Sequence, residues 1–260
     1  MIWLGRGEYD RGGRQPVPPH AGRHLSIVVG PVFISQRDEK ASPVHYGGAA
    51  PFLELAYTTR TNRRKLDVRV GGAYGVMGSA LTRSNDLPRQ QTGRGWLDVE
   101  YSRSLDPAPS RTRWFVGGLL STHGTVIVHF YEGASANKDV YALFSTTLGP
   151  LFGVERGSGH RALSARLSVP IVALIARPYG VFVPLYGEPR PSGTHLDSRF
   201  VTIGALQAVD FSAAYTVSHR SGTNLLLGYH LVVERYRDDE PFRFASQALS
   251  LTLALRLRGG

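Results

Sequence analysis

The chain contains no cysteine. That excludes a disulfide framework and a thiolate metal site, and it is silent on compartment. Lysine is nearly absent, at Lys40, Lys65 and Lys138 only, so arginine carries most of the net charge of +10. No apolar run approaches the ~18–20 residues of a transmembrane helix. No segment repeats with a convincing helical period. The opening stretch MIWLGRGEYDRGGRQPVPPHAGR, residues 1–23, has no apolar core of ~7–15 residues and does not read as a signal peptide. It reads as a flexible lead-in rich in Gly, Pro and Arg.

Alternation with period two is what the sequence does contain. Residues 247–260, QALSLTLALRLRGG, set Leu249, Leu251, Leu253, Leu255 and Leu257 on one side. Ala248, Ser250, Thr252 and Ala254 fall on the other. Ten segments behave in this way, at about 24–35, 50–60, 65–78, 95–105, 111–122 (continuing toward 131), 140–155, 161–176, 199–217, 223–235 and 242–258. Many are longer than the ~5–6 residues usual in globular sheets and suit the ~9–11 that a tilted strand needs to cross a bilayer.

The connections alternate too. TNRR, DPAPS, GSG and RSG are tight-turn sequences, whereas most of the intervening connections are long, up to RPYGVFVPLYGEPRPSGTHLD. Short turns at one end and longer connections at the other are the asymmetry of an up-and-down barrel in an outer membrane. The second face decides what is wet. It holds mainly Gly, Ala, Ser and Thr with scattered acids and arginines, the filling of a narrow lumen rather than a solvated surface. Charges on the lipid side would cost about 2–4 kcal/mol each near the midplane. Aromatics near strand ends (Phe33, Tyr57, Trp96, Tyr101, Trp114, Tyr215, Tyr236) suit interfacial girdles.

On this pattern, over residues 24–258, the chain resembles the general class of bacterial outer-membrane β-barrels. The expected fold is all-β: one antiparallel, up-and-down transmembrane barrel of about ten strands, its leucine row facing lipid. The resemblance implies an outer-membrane location, lipid or lipopolysaccharide as surroundings, and the barrel-assembly machinery as a partner. The closing RLRGG lacks the terminal aromatic which that machinery commonly reads. The sequence does not specify an oligomeric state.

Two sets of inward charges follow from the parity. Glu54, Asp67, Arg69, Glu155, Arg166 and Asp210 form an expected salt-bridged network, because charges in a narrow lumen need partners. Asp98, Glu100, His123, His129, His230 and Glu234 are assigned to the outer half of the lumen. Acids beside histidines are the residue types that activate water, so this set is the candidate catalytic constellation. It is similar in rough placement to omptin-type outer-membrane proteases, and His24-Leu25-Ser26 resembles the His-x-Ser of outer-membrane lipid hydrolases but faces the lumen.

No metal or cofactor is expected. His123 and His129 lie ~20 Å apart along one strand, too far to share an ion. GVERGSGHR falls at a hairpin and not before a helix. The basic residues lack the interleaved aromatics of a nucleic-acid module. The leading reading is a structural or transport-related barrel with a narrow polar lumen. An outer-membrane hydrolase and a soluble ligand-binding barrel are the alternatives.

Overall fold

The computed structural model describes residues 22–38, 42–79, 89–106, 111–130, 138–158, 160–178, 181–182, 196–219, 223–237 and 241–257. The predicted lead-in lies outside them except for its last two residues, which open the first strand. The strands are β1 (Gly22–Asp38), β2 (Ser42–Arg60), β3 (Arg64–Ser79), β4 (Arg89–Ser104), β5 (Thr112–Phe130), β6 (Lys138–Ser158) and β7 (Arg161–Ser168). Then come β8 (Val172–Pro178), β9 (Val181–Phe182), β10 (Leu196–Thr202), β11 (Leu206–Ser218), β12 (Thr223–Tyr236) and β13 (Phe242–Leu257).

Ten of these close a ring, β1 through β7 and then β11, β12 and β13, every pairing antiparallel. The seam joins the first strand to the last, with Leu25 opposite Leu255 and Val29 opposite Leu251. Closure leaves the ten-stranded ring itself without a sheet edge, which a bilayer would not tolerate. Glycines let strands come close. A Cβ on Gly117 would collide with the Tyr101 carbonyl, and one on Gly30 with that of Leu249.

β8, β9 and β10 stand off the ring path and extend its wall. β8 pairs with β6 beyond the point where β7 stops, and β10 pairs with β8. Between the pairs Leu151–Ser168 and Leu148–Val172, β6 supplies 149–150 while its neighbour supplies 169–171. The extra residue is a β-bulge around Pro170, which has no N–H to give the ladder. A bulge of one residue reverses which side faces in. Ile175 therefore points inward and Leu174 outward, and Val201 is inward while Phe200 is outward. Unbroken period two would have put Ile175 on the outer side with Leu167 and Ile171, and Val201 there with Val209. The parity of β11 is restored by the bend at 203–205.

The tight connections, 61–63, 105–111, 159–160 and 219–222, share one end of the barrel. At 61–63 the Thr61 hydroxyl accepts the amide hydrogens of Arg63 and Arg64. At the other end β1 and β2 run further than their apolar patterns, so only 39–41 separate them, not the long connection expected.

The outer face carries the apolar rows. Leu25, Ile27 and Val29, then Leu53 and Leu55, then all five leucines of β13 are exposed. Of the predicted girdle aromatics, Phe33, Tyr57, Tyr101, Trp114 and Tyr215 face out, but Trp96 turns inward and Tyr236 is buried. The lumen is split along its axis. Toward the long-connection end, Ile34, Tyr46, Met77, Ile175, Phe242 and Phe244 belong to a packed apolar cluster. Toward the tight-turn end the acids and arginines gather, with Ala56, Phe115, Ala162 and Ala254 among them.

Candidate functional site

The inward faces of all ten ring strands, β1 to β7 and β11 to β13, build one cavity of about 350 Å³ between the apolar cluster and the tight turns. Its wall carries Glu54, Asp67, Arg69, Asp98, Glu100 and Arg166 among others. Period two explains the gathering: residues of one parity on adjacent strands share one face.

Register corrects the division into outer and inner sets. Asp98 lies opposite Arg69 and Glu100 opposite Asp67. Because β4 begins at Arg89, well before the expected 95, Asp98 and Glu100 sit near its tight-turn end and not in the outer half. They join the network expected of the other set. Arg69 stands 3.5 Å from Asp98 and 3.8 Å from Asp67. Lys65 donates to Glu100 at 3.2 Å and to Asp67 at 3.4 Å. Thr58 donates to the other oxygen of Asp67 at 2.7 Å. Arg166 donates to Glu100 through Nη1 and, through Nε, to Ser212 at 2.6 Å.

Several pairs span the lumen rather than joining neighbours. Arg60 of β2 meets Glu155 of β6 at 2.6 Å. The Arg166–Glu100 pair ties β7 to β4. Arg94 of β4 approaches Glu234 of β12 at 3.9 Å, half a turn round the ring. Glu54 accepts the Trp96 indole N–H at 2.7 Å. At the upper limit of the polar zone, Arg94 lies 3.8 Å from the centroid of the Phe244 ring, where the charged layer meets the apolar one.

His123 sits at the centre of a directional chain. Its Nδ1 lies 2.8 Å from Nη2 of Arg94 and 3.4 Å from Oε1 of Glu234. Nε2 lies 2.7 Å from the Ser121 oxygen, and the Ser121 hydroxyl donates to Asp98. A serine nucleophile needs the lone pair of a neighbouring base. Here the serine's own proton points at the Asp98 carboxylate, which has Arg69 beside it.

His230, expected in the outer set, pairs through Nε2 with Asp210 of the other set at 3.0 Å. Glu234 lies 3.4 Å from His123. His129 stands in β5 opposite Asp139, and its side chain is outside the described residues. His24 and Ser26 are buried on the inner face, as their parity required. Among the described residues, no three His, Cys, Asp or Glu side chains gather to hold a metal ion. Arg94, Trp96 and Ser121 are lumen members that the sequence reading did not single out as such. The alternation of Gln90, Thr92 and Arg94 against Gly93 and Gly95 was the available signal.

No family model matches the chain, and no curated protein does. Solved structures do. The outer membrane protease OmpT of Escherichia coli superposes with a TM-score of 0.56 at 8% identity, over 94% of this chain and 99% of that one. The translocator domain of the autotransporter NalP from Neisseria meningitidis gives 0.47 at 10% identity, over 92% and 90%. At these identities the likeness to OmpT establishes the fold, that of the bacterial outer-membrane β-barrels, and nothing of the protease's chemistry.

Proposed function

We propose that the protein is a closed outer-membrane barrel with a structural role, neither an open pore nor a hydrolase. The observation that carries this reading is the apolar cluster across one half of the lumen. Met77, Phe244 and Ile34 are as buried as the core of a soluble domain, at 1%, 2% and 4% exposure. Solute cannot pass a packed core. Ten strands are also far fewer than the ~16–18 that leave an aqueous channel.

The exposed leucine rows support lipid as the outer solvent. A soluble barrel would place those rows inside. The engaged charges support the absence of catalysis: Asp98, Glu100 and Glu234 each face at least one cation.

Planar bilayer recording tests the reading. The purified protein gives no steady conductance. Ion-selective current in the wild-type protein would overturn it in favour of a channel. Turnover of a peptide or lipid ester that disappears in His230→Ala would overturn it in favour of a hydrolase.

A further inference from the structure

Like charges directly opposite each other on paired strands repel. Yet Arg64 of β3 faces Arg103 of β4, both exposed. Both share the outward parity of Val70 and Leu97, so they continue the lipid-facing side. The pair directly above them is Leu66 and Tyr101. Trp114 and Tyr57 are exposed on the neighbouring strands at the same end.

Among the described residues, no ion pair joins either arginine to an acid. The connections at this end, TNR, LDPAPSR, GH and HRSG, contain one acid, Asp106. Its carboxylate accepts the Trp114 amide hydrogen at 2.7 Å. Arg23, Arg156 and Arg161 are also exposed near the same rim. The facing pair Arg235–Arg243 at the opposite end differs in its sequence surroundings, since the connection between its two strands contains Asp238, Asp239 and Glu240.

We propose that Arg64 and Arg103 form a binding site for the phosphate of an anionic phospholipid in the leaflet that surrounds the tight turns. The assignment rests on the outer-membrane reading above. Facing residues have Cβ atoms about 4.5–5.5 Å apart, so two guanidinium groups converge on one phosphate. Arginine suits it, since its planar fork binds phosphate oxygens in pairs. A lipid is favoured over a protein partner because the guanidinium groups project sideways from the wall, level with the interfacial aromatics, and not along the barrel axis.

Native mass spectrometry of the detergent-solubilised protein, titrated with phosphatidylglycerol or phosphatidylcholine, tests the site. Wild type retains phosphatidylglycerol preferentially. Arg64→Gln/Arg103→Gln weakens that retention by about thirtyfold, while Arg235→Gln/Arg243→Gln leaves it unchanged. Should the first variant fail to fold, a salt titration of wild type replaces it: retention falls steeply as salt rises to about 0.5 M. Equal retention of both lipids, insensitivity to salt, or loss that follows the Arg235–Arg243 pair instead would overturn the assignment. A chain that is monodisperse in plain buffer would overturn the outer-membrane reading itself. A detergent-dependent barrel without lipid preference would overturn only the site.

Discussion

At the scale of single residues, the lumen is governed by the cost of stranding a buried charge. Arg69 serves Asp67 and Asp98 at once. Replacing one partner of a buried pair costs about 3–5 kcal/mol, whereas replacing both by apolar groups is often neutral. Arg69→Leu should therefore unfold at clearly lower urea, read from the gel shift of the folded barrel, and Arg69→Leu/Asp98→Leu should recover much of the loss. Equal stability of wild type and the single variant would show that the pair is solvated. Parity alone placed most of these charges inside, because a charge on an apolar row is conspicuous. Arg94 escaped notice because GRGW, Gly-rich and polar, reads as the end of a loop. Which acid meets which base was equally hidden, since pairs such as Arg60–Glu155 join residues 95 apart in sequence.

At the scale of the element, each strand carries two solvents' worth of information, and a bulge interrupts it. All ten segments were legible from alternation. The phase change around Pro170 was not, because Ile171, Leu174 and Ile175 are apolar on both parities. The native absence of cysteine allows a clean test. A nitroxide on Leu174→Cys should show high oxygen accessibility in bilayers, and one on Ile175→Cys should be immobile and inaccessible. The reverse order would remove the bulge. The closing strand gives a second test, graded by depth. Leu253→Arg should destabilise by about 2–4 kcal/mol and Leu257→Arg by about 0–1 kcal/mol, as a lipid face demands. On a water-exposed face the two substitutions would be alike.

At the scale of the whole molecule, the barrel divides along its axis into a charged half and a mostly apolar half, where Arg177, Gln36, Gln90 and Thr92 are buried beside the apolar cluster. The sequence indicated one polar lumen throughout. It missed the division because residues such as Tyr46, Phe242 and Phe244 occupy segments whose outward positions are polar, which weakens the alternation. Tryptophan fluorescence can check the orientation of the wall. In a Trp3→Phe background, brominated lipid should quench Trp114, which is exposed on the outer face, and spare Trp96, which is hydrogen-bonded to Glu54 inside. Equal quenching of both would show that the lumen admits lipid. The cluster itself predicts a gain of function: Phe242→Ala/Phe244→Ala, measured in planar bilayers, should produce brief openings absent from wild type. Finally, the lumen-crossing pairs have a mechanical meaning. Arg94–Glu234 runs along a diameter of the cross-section, and Arg60–Glu155 and Arg166–Glu100 along chords in other directions. Flattening the cylinder into an ellipse would stretch some of them whichever axis lengthened. They act as spokes, and the barrel should keep a round outline under the lateral pressure of the bilayer.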